Sequence, residues 1–146
     1  MKRVCVIGAG PSGITAIKNI VDQGLDVVAY DRNGEVGGNW IFNENESHSS
    51  VFETTHIISS KTLSQYEDFT FEDFGDEVAD YPSHGELRRY FQAYARKFEL
   101  YQYIQFHTLV RKCEYIDDQT WQVTIEQGGE LRTETFTDLV VCNGHN

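Results

Sequence analysis

The chain has 146 residues, enough for one ordinary domain core. Its 23 acidic and 12 basic residues leave a formal charge of −11, the wrong sign for a nucleic-acid surface. The first apolar run stops at Gly8, too soon for a secretory or transmembrane segment, and none is visible elsewhere.

Val4-Cys5-Val6-Ile7 is short and rich in β-branched residues, the pattern of a buried parallel strand. Gly8-Ala9-Gly10-Pro11-Ser12-Gly13 follows and fits G-x-G-x-x-G at a strand-to-helix turn. In that pattern the first glycine allows the tight turn, the second lets a pyrophosphate approach the backbone, and the third lets helix and strand pack closely. Pro11 suits the first helical turn, where a missing N–H is no loss. Ile14, Ile17 and Val21 recur at helical spacing with Ile20 beside them, and Gly24 stands where a C-terminal cap belongs.

The second strand runs through Asp26-Val27-Val28-Ala29-Tyr30 to Asp31, about 18 residues past Gly13. An acid roughly 20 residues on accepts hydrogen bonds from an adenosine ribose and repels a 2′-phosphate, so FAD or NAD is expected over NADP at this site. The Gly37-Gly38-Asn39-Trp40 loop is more than a simple NAD site needs. Glycines there let backbone pass close to the ribitol of FAD, and Trp40 offers a flat wall near its ring; the bland reading is a turn followed by a core tryptophan.

Residues 43–60 are polar and read as a surface loop near the same crevice, with a short helix start or a turn at Ile57-Ile58-Ser59-Ser60. Between residues 66 and 81 lie Tyr66, Phe69, Phe71, Phe74 and Tyr81, interleaved with acids and without a single Lys or Arg. The acids read as a solvated loop; a calcium loop would need alternate acids, which are absent. The aromatics form either a wall over a ring or anchors that tie a long loop to the core.

Ser83 to Phe98 reads as a helix opened by a Ser83/Glu86 capping box, with Leu87, Phe91, Tyr94 and Phe98 as its buried stripe, Tyr90 beside them, and Arg88, Arg89, Arg96 and Lys97 towards water. Tyr103 to Phe106 is the next short parallel strand. From Val110 to Phe136 the period becomes two, with a hairpin at Gly128-Gly129. This is an antiparallel meander between parallel strands, its register unsettled. Asp138 to Cys142 is one more buried strand, leading to Asn143-Gly144-His145 at the end of the sheet where ligands bind. Cys5, Cys113 and Cys142 include no close pair, which argues against a disulfide reductase and for a reducing, cytoplasmic setting.

Together these stretches resemble the flavin-containing monooxygenase family. The resemblance is carried by the Gly8–Gly13 turn, Gly37-Gly38-Asn39-Trp40, His48-Ser49-Ser50, Tyr66-Glu67-Asp68-Phe69-Thr70-Phe71, Tyr81-Pro82-Ser83-His84, Ile104 to Val110 and Val140 to His145. It implies an α/β, Rossmann-like FAD/NAD(P)-binding fold, a parallel sheet with an antiparallel β-meander insertion. It also implies the family's chemistry, which belongs mostly to the cofactor: NADPH reduces FAD, O₂ adds at flavin C4a, and the hydroperoxide passes one oxygen to a soft nitrogen or sulfur of a small-molecule substrate.

Residue by residue, the resemblance places Gly8, Ala9, Gly10, Pro11, Ser12 and Gly13 on the pyrophosphate and Asp31 on the ribose, with Asn33 supporting that end. It places Gly38, Asn39, Trp40 and His48 towards ribitol and flavin, and Val110 against adenine through its backbone. It points to no metal and names no catalytic residue. Ile58 stands where the family has an asparagine beside the flavin, and it cannot donate that hydrogen bond, so either a neighbouring serine, Ser59 or Ser60, replaces it or the flavin intermediate is less protected. The family's F-x-G-x-x-x-H fingerprint and its second G-x-G-x-x-G for NADPH are not in this sequence. The expectation is therefore that residues 1–146 are the N-terminal FAD-binding part of a larger enzyme, or a truncated chain. A Baeyer–Villiger monooxygenase, an FAD-binding module without turnover and, more remotely, a plain NAD dehydrogenase are the competing readings.

Overall fold

The computed structural model describes residues 1–44 and 50–145. Strand β1 (Arg3–Ile7) leads into helix α1 (Pro11–Asp22), which returns the chain to β2 (Asp26–Tyr30), parallel to β1. Helix α1 ends as expected at Gly24, where Gly24 N–H donates to Val21 O and Leu25 N–H to Ile20 O, the paired bonds of a Schellman cap. A short 3₁₀ turn (Gly38–Trp40) and the four-residue helices α2 (Lys61–Ser64) and α3 (Phe71–Phe74) precede the long helix α4 (His84–Lys97). Strand β3 (Ile104–Gln105) then pairs parallel with β2, and β7 (Asp138–Val141) pairs parallel with β1 on its other side. The sheet order is β3-β2-β1-β7.

Between β3 and β7 lies the expected meander, β4 (Thr108–Asp117), β5 (Thr120–Gln127) and β6 (Glu130–Phe136), all antiparallel. It begins two residues earlier than the alternation suggested. Its register is set at the β5–β6 hairpin, where Gln127 faces Glu130 and both Gly128 and Gly129 have positive φ. Two breaks in the β4–β5 register, near Val110 and Tyr115, twist the ladder.

Alternation along β1 and β2 divides the interior in two. Val6, Val27 and Ala29 face α1 and α4, in a core with Ile14, Ile17, Leu87, Tyr90, Phe91 and Tyr94. Cys5 and Tyr30 face the meander, in a second core with Val123, Ile125 and Phe136. The parallel sheet is thus sandwiched between helices and a second sheet, which is why its strands are apolar on both faces. Helix α4 opens on the expected capping box: Ser83 Oγ accepts from Glu86 N–H while Glu86 Oε2 accepts from Ser83 N–H.

Three expectations need correction. The acidic stretch is not all loop, because Thr70 and Asp73 form a second capping box that starts α3 and pulls Asp73 below its ordinary value through bonds from Thr70. Strand β7 is an edge strand rather than a buried one, with Val141 61% exposed. Cys142 is likewise only half-buried, unlike Cys5, whose thiol burial pushes up to about 12. Among the described residues no helix is long and apolar enough to cross a membrane.

Candidate functional site

The site grows from the end of β1. Gly8 has φ +105° and passes so close to the end of β7 that a Cβ would lie 2.2 Å from Cys142 O. Gly13 is equally constrained, since a Cβ there would sit 1.9 Å from Gly8 O, inside backbone. The first helical turn therefore lies directly on the strand, as the third glycine of the pattern requires.

Gly10 differs. Its backbone is extended, at φ −78° and ψ −169°, a conformation open to any residue, and the nearest atom to a Cβ is Gly38 Cα at 3.3 Å. No side chain caps α1 at this end, and its first turn holds no acid. Pro11 has no N–H and Ile14 N–H is already bonded to Gly10 O, so the amides of Ser12 and Gly13 are the ones turned to the helix end. That end carries the positive pole of the helix dipole and suits an anion.

Asp31 sits just past β2 and is only 7% exposed. Its Oδ2 accepts from Ala9 N–H at 2.7 Å and its Oδ1 from Asn33 N–H at 2.7 Å. Burial pushes the carboxyl up, against these two bonds and Arg32, which pull it down. Each oxygen keeps a further lone pair, so an oriented carboxylate remains able to take two hydroxyl donors. The 31–33 segment is held from outside by the turn into β4: His107 N–H donates to Asn33 O at 3.0 Å and Thr108 N–H to Asp31 O at 2.9 Å. His107 adopts φ +51° there, and its ring lies so near Gly34 that a Cβ would be 2.6 Å from it.

On the other side of the turn, the second glycine pair packs against the first. Gly37 N–H donates to Ala9 O, and Gly38, at φ +55°, presses on Gly10, where a Cβ would meet Gly10 Cα at 2.9 Å. The close approach recorded there is of backbone to backbone. The pair leads to Trp40, which forms one wall of a cleft of about 410 Å³ with Pro11, Leu87 and Phe91; residues 56–59 and Ser64 complete the lining. Ile58 is fully exposed at its edge. Among the described residues the lining contains no acid and no lysine or arginine.

The structure brings Gly8, Ala9, Gly10, Pro11, Ser12, Gly13, Asp31, Asn33 and Gly38 together around one turn. Asn39 follows within the 3₁₀ turn and faces Gly144 at the end of the chain's last strand, 3.9 Å from where its Cβ would be. Val110 lies on β4, half-buried in the second core beside Cys5 and Tyr30. His48 lies outside the described residues. Of the aromatic segment, Tyr66, Phe69, Phe71 and Phe74 are anchors. Tyr90 stacks on Phe69, Phe71 and Tyr66, takes Tyr66 N–H at 2.8 Å and donates to Phe69 O. Tyr66 Oη donates to Pro11 O at 2.7 Å, tying the segment to the start of α1. Tyr81 is exposed. Sequence reasoning gave no role to His107 or His56; a non-glycine residue at positive φ and a ring beside a cleft leave no local signal.

Comparison with known proteins gives one consistent answer. The family described as FMO-like, flavin-binding monooxygenase-like, matches residues 1–146. The N-oxide-forming dimethylaniline monooxygenase 2 of Pan troglodytes is 36% identical over 152 residues, covering 99% of this chain and 28% of that protein. Among solved structures, S-allyl-L-cysteine S-oxygenase from Allium sativum superposes with a TM-score of 0.90 at 22% identity, over 99% of this chain and 36% of that one. The open crystal structure of cyclohexanone monooxygenase gives 0.82 at 23%, over 98% of this chain and 27% of that one. This chain therefore spans little more than a quarter, 28%, of the curated relatives' length.

Proposed function

Because the chain belongs to the flavin-binding monooxygenase-like family, we propose that residues 1–146 form the FAD-binding domain of an NADPH- and O₂-dependent monooxygenase acting on a soft nitrogen or sulfur. The observation that carries this reading is Gly10. A Cβ at Gly8 or Gly13 would lie inside protein backbone, whereas at Gly10 it would meet only Gly38 Cα at 3.3 Å, and the uncapped helix end beside it supports a ligand that needs the remaining space.

The residues fit the group. The amides of Ser12 and Gly13 receive the diphosphate, and Asp31, held by Ala9 and Asn33, takes the hydroxyls of the adenosine ribose. Its negative charge disfavours a 2′-phosphate, which selects FAD over NADP at this turn. Asn33 supports the ribose loop and Val110 lies on the adenine side through its backbone. Gly38, Asn39 and Trp40 line the path away from the diphosphate, towards a cleft whose described lining is uncharged and suits a planar ring. Bound there, FAD supplies hydride acceptance from NADPH and activation of O₂ for transfer of one oxygen. The chain's part is to seat the diphosphate, orient the ribose and present apolar walls that exclude water.

The nitrogen acceptor is supported by the name of the 36%-identical relative, which is N-oxide-forming. Titration of the chain with FAD, followed by gel filtration, tests the reading. Flavin should co-elute with the protein, and excess NADP should not displace it. Flavin that elutes entirely free would overturn the proposal.

A further inference from the structure

Among the described residues lining the cleft beside Pro11 and Trp40, His56 is the titratable side chain. Its Nδ1 lies 2.8 Å from Thr54 O. A carbonyl only accepts, so Nδ1 carries a proton, and in the neutral form of the ring the lone pair is on Nε2. The backbone on both sides of His56 is pinned to the start of α4. Ile57 N–H donates to Pro82 O at 2.9 Å, His84 N–H donates to Thr55 O at 2.9 Å, and His56 itself bridges Ser83. The backbone that carries this exposed side chain is thus tied to α4, and Thr54 O takes the Nδ1 proton. The other polar side chains of the cleft, Ser59 and Ser64, are hydrogen-bonded to each other at 2.6 Å.

We propose that His56 accepts a hydrogen bond from an N–H of the flavin ring and so orients that ring within the cleft, an inference that rests on the FAD reading above. With adenosine on the Asp31 side of the diphosphate, the other end of FAD runs to the Trp40 side, where His56 lies. Apolar walls hold a flat heteroaromatic ring by its faces but leave its rotation in the plane unset. A single acceptor at the edge, complementary to an N–H of the ring, sets it. His56 is a ligand-contacting group here.

The test compares FAD with ADP, which shares the diphosphate and adenosine but lacks the flavin ring. Binding of both to the full chain is measured by calorimetry for wild type, His56→Leu and His56→Gln, with thermal melts as a fold control. His56→Leu should weaken FAD binding about fivefold, the loss of one neutral hydrogen bond, and leave ADP unchanged. His56→Gln, whose Oε1 can accept in place of Nε2, should restore FAD affinity to within about twofold and return the flavin absorption band to its wild-type shape. Equal weakening of FAD and ADP, unchanged FAD affinity in His56→Leu, or a glutamine variant as weak as the leucine one would each overturn the assignment. ADP and FAD both failing to bind wild type would overturn the FAD reading itself, and this one with it.

Discussion

Replacing Gly10 with alanine separates the needs of the fold from those of a ligand. The backbone at Gly10 already lies where alanine is comfortable, at φ −78°. Narrowing the unfolded ensemble favours alanine by about 0.4–1 kcal/mol. The new methyl would press on Gly38 Cα at 3.3 Å, a contact relieved by a few tenths of an ångström of movement. These opposing effects leave Gly10→Ala within about 1 kcal/mol of wild type. Gly13→Ala is different in kind, because its methyl would lie 1.9 Å from Gly8 O, against a van der Waals separation of roughly 3.5 Å. Helix α1 would have to move more than an ångström off β1, and such overpacking costs about 1–3 kcal/mol or more. Urea unfolding followed by tryptophan fluorescence gives the stabilities, and FAD titration the affinities. Gly10→Ala should keep its stability and lose at least about tenfold in FAD affinity, about 1.4 kcal/mol. A Gly10→Ala variant that binds FAD like wild type would refute the claim that a diphosphate approaches here.

Tyr90→Phe keeps the stacked ring but strands Tyr66 N–H and Phe69 O, so the chain should lose about 2 kcal/mol of stability by urea midpoint; a loss below about 0.5 kcal/mol would show those groups find other partners. Ser83→Ala removes the cap of α4 and should cost about 1 kcal/mol. Burial raises Glu86, but bonds from Ser83 and Ala79 outweigh it and hold the carboxyl below its ordinary 4.5. A depressed acid stabilises above its unfolded value, so this contribution should fade as pH drops from 4.5 through the folded value, and Glu86→Gln should lack that fade in acid unfolding. Asp31 has the opposite sign: its raised carboxyl holds its proton more tightly when folded, so ionisation costs stability. Relative to Asp31→Asn, wild type should gain stability as pH falls from neutral to the ordinary Asp value of 3.8, read from paired urea curves.

Local signals made much of this protein legible before folding was considered. Val4–Ile7, the glycine turn and the Ile14/Ile17 stripe specify a strand, a turn and a helix through short-range sterics and periodicity, and they appear where expected. Ser83 with Glu86, and Gly128 with Gly129, likewise act over three or four residues, so a cap and a hairpin can be read directly. The candidate diphosphate turn and its acid at Asp31 belong to the same class, since both lie within one strand-helix-strand unit.

Only the tertiary structure decided the rest, because those features are contacts between residues far apart in the chain. An apolar strand such as Val4-Cys5-Val6-Ile7 declares that both its faces are covered, but not that helices take Val6 and the meander takes Cys5. Gly38 against Gly10, the Tyr66 phenol on Pro11, His107 holding Asn33, and the cleft that His56 shares with Trp40 arise where separate segments meet. Propensity and pattern describe what a residue prefers beside its neighbours; which distant surface it meets depends on how the whole chain buries its apolar area.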